Sequence, residues 1–170
     1  AGPADQDDAF HNVVVCNSLL KRSTLAGLRS GFLPGDPLII AETLNMRSYG
    51  GAPLPLPVQS ASAAAWKDEG HVLENRALYR QKFDLAEQYL GGKFSFQRPE
   101  GGFCLWLDVG DGEKACRKLW AEAGIKVLPG AYLARPDEKG HNPGASYIRL
   151  VLVHDVALLE PALEKIANTL

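Results

Sequence analysis

Between Glu69 and Leu90, Val72, Tyr79, Phe83, Ala86 and Leu90 recur at spacings of seven, four, three and four. That spacing predicts a long helix with one apolar stripe, closed by Gly91-Gly92. A stripe of this kind has to be covered by another layer, so the residues that follow it decide the fold. Phe94 to Phe96 and Phe103 to Val109 read as strands, and Glu113 to Ala123 as a helix. Ile125 to Leu128 reads as a short strand, Tyr147 to Val153 as a strong one, and Val156 to Leu170 as a closing helix. The expected class is therefore α/β (α+β).

Upstream, Val13-Val14-Val15-Cys16 is a β-branched run suited to a strand buried on both faces. A polar loop from Asn17 to Ala26 follows, then a second expected strand from Leu28 to Leu33 and a Pro34-Gly35 turn. Asp36-Pro37 pairs an N-cap with proline at the first helical position and predicts a helix towards Met46. The glycine- and proline-rich run from Tyr49 to Pro57 breaks the chain, and Val58 to Trp66 is an alanine-rich helix. The natural boundary falls near residues 50–70. Trp66, Trp106 and Trp120 are expected in the core, and residues 1–11 read as a loose polar terminus.

The balance of 46% hydrophobic and 22% charged residues is that of a soluble globular protein. A net charge of −2 without blocks of like charge gives no general pull towards nucleic acid or anionic membrane. No apolar run reaches a membrane span, and the start does not read as a signal peptide, so a cytoplasmic location is expected. Cys16, Cys104 and Cys116 are too scattered for a disulfide framework or zinc cluster, and the four histidines show no metal-ligand spacing. No metal is expected. A chain that opens Ala1-Gly2-Pro3 and has Met46 as its one methionine reads as processed, truncated or partial.

Chemistry concentrates between Ser18 and Gly31. A strand delivers a polar loop at its carboxyl end, the usual ligand position in α/β sheets. Arg29 can grip a phosphate through two parallel hydrogen bonds and Ser18 can add a hydroxyl donor. Gly27 and Gly31 clear side chains from a close approach. An amine beside such a cradle, Lys21, suits an aldehyde cofactor that carries a phosphate. On spacing alone, a solvated lysine in a polar loop is the plainer reading. Arg149 is a second candidate, because a lone guanidinium in the apolar strand Tyr147 to Val153 is costly unless an anion satisfies it. An internal carboxylate partner is the other reading.

The loop resembles the cofactor-lysine motif of the class I/II aminotransferases of fold type I, with serine three residues before the lysine and arginine eight after it. Ser18, Lys21 and Arg29 stand at those positions. Within that family the run is most similar to the Ser-Leu-Ser-Lys-Arg-Ser-Asn-x-x-Gly-Leu-Arg-Ser-Gly-Phe of N-succinyldiaminopimelate aminotransferases. Arg47-Ser48-Tyr49-Gly50-Gly51, Val58-Gln59-Ser60-Ala61-Ser62, Glu74-Asn75-Arg76, Gly102-Phe103-Cys104-Leu105-Trp106, Leu128-Pro129-Gly130 and Asn142-Pro143-Gly144 extend the likeness over nearly the whole chain.

The resemblance implies an aspartate-aminotransferase-like fold. Residues 1–60 would be a remnant of the large cofactor domain, and residues 61–170 a connecting helix with the C-terminal small domain. It implies pyridoxal 5'-phosphate as cofactor, Lys21 as the catalytic lysine, Ser18 and Arg29 on the cofactor phosphate, and Arg149 on the substrate α-carboxylate. Arg47 and Tyr49 are weaker candidates for contacts across a subunit interface. It further implies an amino acid and a keto acid as substrates, a homodimer, and a setting in lysine biosynthesis, with N-succinyldiaminopimelate and glutamate as the expected pair. Alternatives are a broader amino-acid transaminase, a carbon–sulfur lyase, or a non-catalytic domain for packing or dimerisation. Leu20 departs from the family's small residue, commonly serine, and removes a hydroxyl near the phosphate. The family's pyridine-facing aspartate lies upstream of the lysine, and Asp5, Asp7 and Asp8 have the wrong context to replace it, so this chain is expected to be an inactive fragment.

Overall fold

A computed structural model describes residues 10–170, so the expectation for residues 1–9 lies outside the described residues. The chain divides into two compact units, one running to Asn75 and the other from Arg76 to Leu170.

In the first unit, residues 13–18 run antiparallel to residues 31–36. Val14 bridges Gly35, Val15 N–H donates to Pro34 O at 2.9 Å, and β1 (Asn17–Ser18) pairs with β2 (Gly31–Phe32). The strands lie so close that a Cβ at Gly31 would stand 2.4 Å from Asn17 O, and one at Gly35 2.3 Å from Val13 O. The expected buried strand at Val13–Cys16 is corrected here. Val13, Val14 and Val15 are exposed, in a ribbon that among the described residues has two strands. The expected strand at Leu28–Leu33 is also displaced. Residues 26–28 form a 3-10 turn, and extended pairing starts only at Gly31.

Between the strands sits α1 (Leu19–Ser23), where a polar loop was expected. Ser18 caps it by accepting from Leu20 N–H at 3.2 Å, and Thr24 ends it in the left-handed region at φ 55°. The Asp36-Pro37 signal holds. Asp36 accepts from Leu38 N–H at 2.9 Å and starts α2 (Pro37–Gly50), which runs one turn past Met46. The Asn12 and Leu38 backbone N–H groups hold the Asp36 carboxyl below its ordinary value. After the proline-rich break come α3 (Leu56–Lys67) and α4 (Gly70–Leu90).

The second unit has the larger core. β3 (Cys104–Asp108), β4 (Leu128–Pro129) and β5 (Tyr147–Val151) form an antiparallel sheet in the order β3-β5-β4. Leu105 opposes Leu150 and Leu107 opposes Ile148, and these four are buried against helices. The helical side is Phe83, Ala86 and Leu90 of α4, Leu119 beyond α5 (Gly112–Lys118), and Leu159, Leu163 and Ile166 of α6 (Val156–Thr169). From Tyr79 onwards, the stripe expected on α4 is thus part of the helical side of a two-layer core. Phe94 to Phe96 is not a strand. Phe94 and Ser95 take positive φ, 55° and 50°, in a turn that returns the chain to the sheet through Asp108 N–H to Phe94 O.

Candidate active site

The site candidates fall in both units. In the first, Lys21 stands in the middle of α1. Leu19 and Ser23, one helical turn apart, face inwards and are buried, which turns the intervening Lys21 outwards, where it is exposed. The Ser18 hydroxyl spends an acceptor position on Leu20 N–H and keeps its own proton to donate.

Arg29 adopts φ 50° and ψ 32°, the left-handed region that L-residues other than glycine avoid at a cost of about 1–2 kcal/mol. Its backbone N–H and its Nη1 both reach Ala26 O at 3.3 Å. With Asn17, Ser30, Phe32, Leu54 and Arg47 it lines a cleft of about 380 Å³. Two arginines among the residues that line one cleft make an anion the natural ligand class. Neither Ser18 nor Lys21 lines that cleft. Nothing lies within 4 Å of where a Gly27 Cβ would be, so the backbone between Lys21 and Arg29 is open to an incoming group. A lysine, a serine hydroxyl and a guanidinium on one short loop are the residue types that hold a phosphorylated aldehyde.

Arg47 therefore shares the Arg29 cleft, whereas Tyr49 is 90% exposed. Sequence reasoning gave Arg22 no role. Its Nη1 donates to Ala65 O at 2.9 Å, it pairs with the Glu69 carboxylate, and its guanidinium lies 5.1 Å from the centre of the Trp66 ring.

In the second unit Arg149 is the central residue of β5, opposite Trp106 on β3 and Leu128 on β4. The strand is covered on one face only. Ile148 and Leu150 are buried, while Tyr147, Arg149 and Val151 lie on the half-buried face that the helices leave uncovered. None of the ion pairs among the described residues includes Arg149, and its Nε is buried without a hydrogen-bond partner. An unpartnered buried donor on a cation calls for an acceptor from outside the unit.

Trp106 stacks on Tyr147 at 5.3 Å and 15°, on the same face as Arg149. Trp106 and Trp120 are 43% and 64% exposed, which corrects their expected core placement; Trp66 is half-buried against the edge of Phe32. Two glycine motifs seat Trp106 and β5. A Cβ at Gly130 would stand 2.8 Å from the Trp106 ring, and one at Gly144 2.4 Å from Gly130 O. Asn142 Nδ2 ties the two turns together by donating to Ala131 O at 3.0 Å.

Lys82 is a second residue without a sequence signal, since lysines on helices are usually solvated. It is 2% exposed, donates to Leu152 O at 3.0 Å and sits 4.7 Å from the Tyr79 ring centre. Among the described residues no group of histidine, cysteine, aspartate or glutamate could hold a metal, and no helix is long and apolar enough to cross a membrane.

Comparisons with known proteins bear on the family and the fold. The family model described as aminotransferase class I and II matches residues 3–166. A transaminase of Streptomyces rimosus, acting on 4-dedimethylamino-4-oxo-anhydrotetracycline by its name, is 36% identical over 128 residues, 75% of this chain and 36% of the relative. An LL-diaminopimelate aminotransferase of Nitratidesulfovibrio vulgaris is 28% identical over 157 residues, 89% of this chain and 39% of the relative. The crystal structure of an aminotransferase from Neisseria meningitidis superposes with a TM-score of 0.84 at 44% identity, over 94% of this chain and 41% of that one. The chain spans about two-fifths of the length of these proteins.

Proposed function

Because the chain belongs to the aminotransferase class I and II family, we propose that it supplies the lysine and the carboxylate-binding arginine of a pyridoxal-phosphate-dependent transaminase. When bound, the cofactor would supply an electron sink for the carbon that gains or loses the amino group. Lys21 would hold it covalently through Nζ and, once released by the incoming amino acid, carry a proton to and from the reacting carbon. The Ser18 hydroxyl and the Arg29 guanidinium would bind the phosphate, the first as a single donor and the second as a fork. Arg149 would take the substrate α-carboxylate, with the Trp106–Tyr147 pair keeping water from one side of it.

The observation that carries the reading is the geometry of the lysine loop. A capped turn directs Lys21 outwards, while a left-handed backbone at Arg29 places that residue on the wall of a cleft it shares with Arg47. Strain of this kind persists where function requires it.

For the substrates, the likeness of residues 18–32 to N-succinyldiaminopimelate aminotransferases favours an N-acylated diamino acid with glutamate as donor, and so lysine biosynthesis in the cytoplasm. A homodimer is favoured by α2. None of its residues is buried, and Leu38, Leu44, Met46 and Tyr49 are 76%, 70%, 69% and 90% exposed.

The phosphate part of the proposal is tested with two aldehydes. Pyridoxal phosphate should label Lys21, after borohydride reduction, at least about tenfold faster than pyridoxal, a charge-assisted phosphate contact being worth that much. Arg29→Met should erase the difference. Equal labelling by both aldehydes would remove Ser18 and Arg29 from the phosphate site.

A further inference from the structure

The helix that bears Lys21 has five residues, too few to hold a helical turn in water on their own. Its orientation must be imposed by tertiary contacts, and these converge on the residue next to the lysine. Arg22 has a side chain only 14% exposed, unlike Lys21, which faces solvent one helical step away. Its guanidinium reaches the last turn of α3, where the carbonyls lack partners within the helix, and donates to Ala65 O at 2.9 Å. The same group pairs with Glu69 in the short link before α4 and lies over Trp66. Trp66 meets Phe32 edge-on at 4.8 Å and 72°, and Phe32 pairs with Asn17, the residue before the Ser18 cap. The contacts form a closed circuit from Ser18 through α1, Arg22, Trp66 and Phe32 back to β1.

We propose that Arg22 is a positioning residue for Lys21: its fork, fixed by Ala65 O, Glu69 and the Trp66 face, sets the rotation of the short helix and hence the direction of the lysine amine. The inference rests on the reading of Lys21 as the cofactor lysine. A lysine at position 22 keeps the charge and has three N–H donors on a single nitrogen, but it cannot serve a carbonyl and a carboxylate in a planar fork while stacking on an indole. A methionine keeps the stem and loses everything else.

The experiment measures borohydride-trapped labelling of each lysine by pyridoxal phosphate, resolved by peptide mass spectrometry, on the whole chain and on Arg22→Met, Arg22→Lys and Glu69→Gln. Far-UV circular dichroism is recorded alongside. Expected for Arg22→Met is a fall of about tenfold in labelling at Lys21, with the other lysines unchanged. Arg22→Lys should recover part of the loss. Glu69→Gln, which leaves the Ala65 contact in place, should show a loss of about threefold. Selective labelling of Lys21 that is identical in all four folded proteins overturns the positioning role while leaving the cofactor lysine in place. Absence of selectivity in the unaltered chain overturns the cofactor reading instead. Should Arg22→Met not fold, Arg22→Lys and Glu69→Gln decide, and an unchanged Lys21 rate in both overturns the role.

Discussion

Arg29 and Arg149 are each held at a cost, the first by a left-handed backbone and the second by a buried Nε without a partner. Arg149 was legible, because a lone cation in an apolar strand has few reasons to be there, and its Nε is indeed buried without a partner. Its being on the half-open face was not legible, since that depends on which side the helices cover. Replacing Arg149 with methionine should keep the fold and raise stability by roughly 1 kcal/mol, because a buried donor without an acceptor is lost. Urea denaturation checks this, and a marked loss of stability would mean that Arg149 has an internal partner. The left-handed backbone of Arg29 left no trace in the sequence, where glycine would be expected. Arg29→Gly should stabilise the chain by about 1 kcal/mol through relief of that strain, yet lose the preference for the phosphorylated aldehyde. A destabilised Arg29→Gly would show that the guanidinium holds the loop rather than awaiting a ligand.

Among elements, the longer helices were read well, while the short helix α1 was missed and the strands of the first unit were read poorly. Asp36-Pro37, the α4 stripe and Gly91-Gly92 are local signals whose physics acts within a turn or two. Val13 to Cys16 has the composition of a buried strand, but burial depends on distant segments, and among the described residues the valines face solvent. Phe94 to Phe96 failed for the opposite reason: three residues of strand-like composition carry two positive φ angles. Lys82 was invisible because the apolar stripe on α4 says nothing of a lysine that turns inwards to reach the end of β5. Burial lowers its pKa from the ordinary 10.5, with Asp155 opposing. The unfolded chain therefore binds this proton more tightly than the folded one. Stability should climb as pH rises from the depressed folded value towards 10.5. Thermal melts over that range should lose this rise in Lys82→Met, and an unchanged slope would contradict it. At the junction of β4 and β5, Gly130→Ala should cost roughly 1–3 kcal/mol, since its methyl would meet the Trp106 ring at 2.8 Å and Gly144 O at 2.5 Å. A neutral substitution would mean the two turns are looser than described.

For the whole molecule, the mixed α/β architecture was reachable from the alternation of strand and helix patterns after Gly92, and the family from the resemblance of the Ser18 to Gly31 run and the downstream motifs. The division of the chain after Asn75, inside α4, could not be read from a helix whose pattern is continuous. The second unit contains its own core, whereas α2 of the first presents Leu44 and Met46 to solvent. Sedimentation velocity should accordingly show self-association that Leu44→Glu weakens; a monomer at all concentrations would speak against the dimer. The most direct measurement concerns Lys21 itself: treat the chain with pyridoxal phosphate, reduce with borohydride, and locate the modified peptides. A pyridoxyl group concentrated on Lys21, and gone in Lys21→Ala with no other site replacing it, is the result expected. Label spread evenly over the exposed lysines would contradict the assignment of Lys21 as the cofactor lysine.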